Sequence, residues 1–228
     1  MKKINIIIPV KKTSDRVKNK NFRKFYKNKS LFELLIEKLK KSNFVKNIYI
    51  SSNKKSIEKK VNSLGCEFIY REDKYCNNVI PWSEMIYHTV NALPINSNED
   101  LAWCHTTTPL FDSYDDVFSK YFLKTKKTND GLVIVSTFNE FIVNENKKPI
   151  NYSWGPWHQY SQKLEKLYTI TGTMFATKKI NFLKNRYVIS NNPYFYEISR
   201  YESLDIDDNY DFELARLLIK NKILKKYA

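Results

Sequence analysis

A near-continuous apolar run, Lys3 to Val10, lies close to the start of the chain. A run without polar alternation is what a strand buried on both faces of a parallel sheet requires. A polar, basic stretch follows from Lys11 to Lys24, and then the period changes. Leu31, Leu34, Leu35 and Leu39 recur at helical spacing. Ser30 stands in front of them and Glu33 three residues later, the arrangement of a capping box. Val45 to Ser51 reads as a second strand, Ser52 to Leu64 as a lysine-faced helix closed by Gly65, and Cys66 to Tyr70 as a third strand. Pro81 suits the first turn of a helix carrying Met85, Ile86, Thr89 and Val90.

Leu101 to Thr106 gives a fourth strand and Gly131 to Ser136 a fifth. Between them, Asp112 or Ser113 caps a helix that carries Val117, Tyr121 and Phe122. The pattern loosens from Thr137 to Tyr168, which includes the polar-aromatic stretch Asn151 to Tyr160. Thr171 to Ala176 is again strand-like, and a last helix runs from Tyr210 to Leu224. Strands alternating with helices predict an α/β fold with a mainly parallel central sheet flanked by helices. No repeat or linker divides the chain, so 1–228 is expected to form one domain with an irregular segment at about 137–170.

Composition narrows the function classes. The 228 residues are 42% apolar and 15% aromatic, enough for a sizeable core, which excludes wholesale disorder. No stretch reaches the roughly 18–20 apolar residues of a membrane span. The apolar run behind Met1-Lys2-Lys3 is too short for a signal peptide, so a cytoplasmic protein with its own start Met is expected. Three scattered cysteines without a CxxC argue against a disulfide framework or a zinc knuckle. The formal charge is +15, from 39 Lys+Arg against 24 Asp+Glu. It fits a polyanionic partner or a Lys-rich compositional drift, and its even spread favours drift. No nucleic-acid-binding signature accompanies it, so no specific nucleic-acid partner is expected.

Two segments carry candidate chemistry. The first strand runs into Lys11-Lys12-Thr13-Ser14-Asp15-Arg16-Val17-Lys18-Asn19-Lys20-Asn21. This loop leaves the C-terminal end of a strand, where open α/β sheets bind ligands, and its cations and backbone N–H groups suit a triphosphate. Read alone, it is equally a solvated basic loop. The second segment is Asp205-Ile206-Asp207-Asp208-Asn209-Tyr210-Asp211-Phe212. In extended backbone Asp205 and Asp207 point to one side, a placement that suits Mg²⁺; read alone, Asp208 caps a helix and the others are surface acids.

Together the segments resemble the cytidylyltransferases that activate acidic sugars, the synthetases of CMP-sialic, CMP-pseudaminic, CMP-legionaminic and CMP-Kdo acids. Pro9, Ser14, Arg16, Lys20 and Asn21 fit the family's opening strand and loop, and Asp205-Ile206-Asp207 its magnesium-binding D-I-D. Ile48 to Ser52, Arg71, His105 to Phe111 and Leu167 to Phe175 are similar to further family motifs, in order. The resemblance implies a Rossmann-like, GT-A-like nucleotide-diphospho-sugar transferase fold and transfer of CMP from CTP to an acidic acceptor, for surface polysaccharide or glycoconjugate synthesis. It places Pro9, Val10, Lys11, Ser14, Arg16, Lys20 and Ser83 on CTP. Lys20, Asn21, Arg71 and Asp207 take the catalytic roles, with Mg²⁺ on Asp205 and Asp207. His105, Thr106, Gln162, Thr169 and Thr171 fall on the acceptor side. A homodimer contact through the irregular segment is implied as well.

The departures are specific. Lys11 stands for the loop Arg, Thr13 for its Gly and Asp15 for the Lys after Ser; on the acceptor side His105, Phe111, Ser161, Thr169 and Thr171 replace the family's Gln, Arg, Arg, Arg and Asn. These replacements point away from sialic acid itself, toward a different nonulosonate or another anionic acceptor. Two alternatives stay open: a GT-A-type glycosyltransferase using a nucleotide sugar, and a family member that has lost catalysis through Lys11 and Asp15.

Overall fold

The computed structural model describes residues 2–14, 16–77 and 79–221. In chain order these form β1 (Ile4–Pro9), β2 (Lys24–Tyr26), β3 (Lys29–Ser30), α1 (Leu31–Lys40), β4 (Val45–Ser52), α2 (Glu58–Ser63), β5 (Glu67–Tyr70) and α3 (Trp82–Asn91). They continue with β6 (Asp100–Cys104), α4 (Tyr114–Lys124), β7 (Gly131–Phe138), β8 (Leu167–Lys178), α5 (Lys179–Asn185), β9 (Pro193–Ile198) and α6 (Asn209–Asn221). Seven strands make one sheet in the order β5-β4-β1-β6-β8-β7-β9, with β2 and β3 a separate hairpin. Neighbours are parallel except around β8, which runs antiparallel to both β6 and β7. The expected mainly parallel sheet flanked by helices is what forms.

The apolar run of β1 is central for a reason visible in its burial. Ile4, Ile6 and Ile8 face one core with α1, α2 and α4, while Ile7 faces the other with α3 and α5. Both faces are covered, so no polar alternation is tolerated. Chain order reverses beside β1: β4, the next strand of the sheet, pairs on one side and β6 on the other. The C-terminal ends of β1 and β6 therefore flank a crevice, the place where open α/β sheets bind ligands.

A third cluster holds the functional loops. Val17 of the basic loop, Leu31 and Leu34 of α1, Ile206, and Phe212 and Ala215 of α6 are buried together. The residue between the two candidate metal carboxylates is thus a core residue, fully buried.

Several boundaries move. Ser52 ends β4 rather than starting a helix, because Ser51 and Ser52 are fully buried against Pro9 and Tyr70. The helical part shrinks to a single 3₁₀ turn, Lys55–Ile57, and α2. Gly65 takes the expected left-handed backbone at φ 60. Pro81 precedes α3 instead of lying in its first turn. β6 stops at Cys104, so His105 and Thr106 belong to the following loop. β8 is twice the expected length and pairs on both sides. The hairpin, α5 and β9 are additional to the elements expected. Residue Asp15 and the end of the last helix at Leu224 lie outside the described residues.

The capping box at Ser30 forms with both arms: the Glu33 N–H donates to Ser30 Oγ at 3.3 Å and the Ser30 N–H to Glu33 Oε2 at 2.9 Å. Ser30→Ala leaves the Glu33 N–H without that acceptor and should cost about 1 kcal/mol. The check is thermal unfolding, where a fall of about 2–4 °C is expected for a chain of this size.

Candidate functional site

A cavity of about 770 Å³ opens at the C-terminal ends of β1, β5 and β6. One wall is the basic loop, with Lys11, Ser14, Arg16, Lys20 and Asn21. The floor is the loop after β6, His105 to Thr107. The opposite wall carries Arg71 and the run from Tyr75 into α3, ending at Trp82 and Met85; Asp207 stands on the rim.

The basic loop is shaped by its own turn. Asn19 takes left-handed backbone at φ 54, a conformation Asn adopts more readily than most residues. The turn sends Lys20 and Asn21 inward while Val17 enters the core. Asn21 is buried, and Thr106 Oγ1 donates to its Oδ1 at 2.7 Å. Lys20 Nζ donates to the Ile206 carbonyl at 2.7 Å. In turn the Ile206 N–H donates to the Thr107 carbonyl at 2.9 Å. One residue of the Asp-Ile-Asp segment therefore ties together the basic loop and the loop after β6.

Asp205 and Asp207 differ in environment. Asp207 is exposed and its Oδ1 pairs with Arg16 Nη2 at 2.7 Å. Asp205 is sunk into the site, and burial pushes its carboxyl above the usual carboxylate range, with Asp207 adding to the effect. The Thr107 side chain and Lys20 oppose that shift. Asp205 Oδ1 is buried and has no hydrogen-bond partner. Burial also lowers the Lys20 ammonium from its ordinary value, against the pull of Asp205 and Asp207. Among the described residues no group of three or more His, Cys, Asp or Glu is arranged to hold a metal. A pair of carboxylates suits Mg²⁺, which is bound by one or two of them together with phosphate oxygens.

His105 is held from both sides. The Trp103 indole N–H donates to its Nε2 at 2.7 Å, and on the β8 side its backbone N–H donates to the Thr173 carbonyl at 3.2 Å. Burial brings its pKa down to about 4, Lys20 pushing the same way. Gly172 has φ 66, and a Cβ there would lie 3.6 Å from His105 Nδ1 and 3.7 Å from Asp205 Oδ2. Those are ordinary contact distances, so what calls for glycine here is the left-handed backbone rather than the space.

Set beside known proteins, the chain matches the sequence profile described as cytidylyltransferase over residues 5–224. It belongs to the cytidylyltransferase family. The N-acylneuraminate cytidylyltransferase of Escherichia coli O18:K1:H7 (strain RS218 / NMEC) is 24% identical over 229 positions, covering 98% of this chain and 54% of that protein. The chain thus spans about half the length of that relative. A solved CMP:2-keto-3-deoxy-manno-octonic acid synthetase complexed with CTP superposes with TM-score 0.66 at 12% identity, over 97% of this chain and 100% of that one. The 4-diphosphocytidyl-2C-methyl-D-erythritol synthase of Anaerococcus prevotii DSM 20548 gives 0.64 at 11% identity, over 96% and 99%. At these identities the likeness is one of fold.

Within this cytidylyltransferase the expected site residues divide into two groups. Pro9, Lys11, Ser14, Arg16, Lys20, Asn21, Arg71, His105, Thr106 and Asp207 all line the cavity, and Asp205 stands beside Lys20 and Asp207. Val10 does not line it; its side chain is in the core and its carbonyl accepts from Arg71 Nη2 at 3.3 Å. Ser83 does not either, because the start of α3 turns Trp82 and Met85 toward the cavity. Thr169 and Thr171 are absorbed by the sheet: Thr169 Oγ1 lies 2.6 Å from Ser136 Oγ, and Thr171 Oγ1 donates to the Ile134 carbonyl at 3.1 Å. Gln162 is exposed on the 3₁₀ turn Ser161–Lys163, away from the cavity. Trp82, Tyr75, Thr107 and Gly172 were not expected from the sequence. Pro81 ahead of a helix was the available sign for Trp82.

The neutral His105 has a consequence for stability. Between pH 6.5 and about 4 the unfolded chain takes up a proton at this residue that the folded chain refuses. Stability contributed by His105 is therefore present above pH 6.5 and is lost as pH falls toward 4, at up to about 1.4 kcal/mol per pH unit for one proton. His88, lowered by its own burial, adds in the same direction. Denaturant unfolding from pH 6.5 to 4.5 should show a shallower pH slope for His105→Gln than for wild type. Equal slopes would contradict the buried neutral imidazole.

Proposed function

We propose that this chain transfers CMP from CTP to an acidic sugar, a nonulosonate or Kdo-like acid, or to another anionic acceptor, and releases pyrophosphate. The observation that carries the reading is electrostatic. Four cationic side chains, Lys11, Arg16, Lys20 and Arg71, line the cavity against one carboxylate, Asp207, among the described residues. Such a cavity favours ligands with several negative charges. A triphosphate and an anionic acceptor both qualify, and both must enter for the reaction.

In this reading an acceptor oxygen attacks the α-phosphorus of CTP and the bond to pyrophosphate breaks. The protein's work is positioning and charge neutralisation rather than covalent chemistry. Lys11, Ser14, Arg16 and Lys20 hold the triphosphate. Asn21, kept in place by Thr106, and Arg71 orient the nucleotide. Asp205 and Asp207 would hold Mg²⁺, and the orphaned buried Oδ1 of Asp205 supports this assignment. When bound, the ion neutralises phosphate charge. His105 accepts the Trp103 indole N–H on Nε2 and lines the cavity, and we keep it on the acceptor side of the site. A GT-A-type glycosyltransferase is the lesser reading, because its D-x-D pair usually follows a middle strand whereas Asp205 and Asp207 precede the last described helix, and pyrophosphate release separates the two. No helix among the described residues is long and apolar enough to cross a membrane, and we place the reaction in the cytoplasm, in the service of surface polysaccharide or glycoconjugate synthesis.

We also assign the exposed aromatic segment to contact with a second copy of the chain. Trp154, Trp157 and Tyr160 are 56%, 79% and 75% exposed, an unusual display for large aromatic side chains.

Three measurements test these assignments. In a thermal-shift comparison of ATP, GTP, UTP and CTP, CTP with Mg²⁺ should give the largest rise, and chelation should reduce it. Asp207→Asn should then lower pyrophosphate release at least about a hundredfold while its unfolding midpoint stays within a few degrees of wild type. Retained turnover would remove Asp207 from the metal site. For the assembly, light scattering at micromolar concentration should give twice the chain mass, and Trp157→Lys should shift it toward the monomer.

A further inference from the structure

Arg71 occupies an unusual setting for an arginine. It is only 4% exposed, yet among the described residues no carboxylate pairs with it. Among the described residues its three hydrogen bonds all go to uncharged acceptors. Nε donates to Cys76 Sγ at 3.1 Å, Nη1 to Met85 Sδ at 3.6 Å and Nη2 to the Val10 carbonyl at 3.3 Å. The adjacent carboxylate, Glu72, pairs instead with Lys74 at 3.0 Å. A guanidinium has five N–H donors, so two remain, together with the whole positive charge. Buried charges are ordinarily paired, since burial without a counter-charge is costly. Here the cost is met only by weak sulfur acceptors and one carbonyl, and the group lines the cavity.

We propose that Cys76 and Met85 are positioning residues for Arg71, a sulfur seat that orients the guanidinium without neutralising it, so that its charge is kept for an oxygen of the bound nucleotide. The proposal deepens the cytidylyltransferase reading and rests on it. A carboxylate in this seat would hold Arg71 at least as firmly, through charge-assisted bonds. It would also cancel the charge the nucleotide is to meet. Sulfur does the first weakly and the second not at all. The seat is built from both ends of one wall: Cys76 follows β5 in the turn Asp73–Cys76, and Met85 sits one turn into α3. The wall that meets the nucleotide therefore also sets the arginine.

Position 76 separates charge from shape. Cys76→Asp and Cys76→Asn are nearly identical in size and differ in charge. Dissociation constants for CTP, measured by calorimetry with Mg²⁺, should be at least tenfold weaker for the Asp variant than for the Asn variant. The unfolding midpoint of the Asp variant should be no lower than that of the Asn variant. Repeating the pair on an Arg71→Met background should abolish the difference between them, because the effect acts through that one charge. Equal affinities for the two variants, or a difference that survives Arg71→Met, would overturn the proposal while leaving the function intact. Failure of the wild-type protein to bind CTP would overturn both.

Discussion

The site depends on the backbone of one buried residue. Ile206 places its side chain in the cluster with Val17 and Phe212, donates its N–H to Thr107 and accepts Lys20 on its carbonyl. Three segments far apart in sequence are thereby fixed within one hydrogen-bond length of each other. Asp205 and Asp207 flank it, Asp205 half-buried beside Lys20 and Asp207 exposed on the rim of the cavity. The spacing of the two carboxylates is a by-product of an apolar residue being anchored between them. Asp208 and Asp211 then close the segment by capping α6, with the Asp211 N–H on Asp208 Oδ1 at 3.0 Å and the Asp207 N–H on Asp211 Oδ2 at 2.9 Å.

Electrostatics complete what packing begins. Arg16 rests on Asp207, and Lys20 lies between both carboxylates, so each acid of the site faces a base. The Arg16 pair is solvent-exposed, and such pairs contribute little to stability. Arg71, with no acid partner among the described residues, is held by geometry alone. The surplus of 39 basic over 24 acidic residues is spread along the whole chain, so net charge did not locate the site. What distinguishes the cavity cations is that Lys11, Arg16, Lys20 and Arg71 converge on one crevice, which a count of lysines cannot register.

Much of this was legible in the sequence, for identifiable reasons. The unbroken apolar run of β1 and the Ser30–Glu33 cap are local signals, and both hold. The basic loop and the Asp-Ile-Asp segment were legible because loop residues with chemistry are not disguised by core packing. Tertiary contacts overrode local signals elsewhere. Ser51-Ser52 has the polarity of a helix start, yet pairing with β1 and β5 buries it at a strand end. Thr169 and Thr171 occupy motif positions, but β8 is paired on both sides and their hydroxyls turn to β7. Nothing local marks Gly172 as a left-handed position within a strand; that backbone belongs to β8 as it is inserted antiparallel between β6 and β7.

That insertion bears on where the chain departs from the family pattern. The basic loop rests on β1 and on the Ile206 anchor, in a packed cluster shared by α1 and α6. The segment before β8 is held, among the described residues, by an isolated bridge, Val143 to Pro149, and by single 3₁₀ turns. Few buried contacts constrain such a segment, so its side chains can be exchanged with little loss of stability. His105 marks the boundary: its neutral imidazole takes the Trp103 N–H at the end of β6, while its backbone N–H reaches the Thr173 carbonyl of β8, so the packed half of the sheet meets the looser one at this residue.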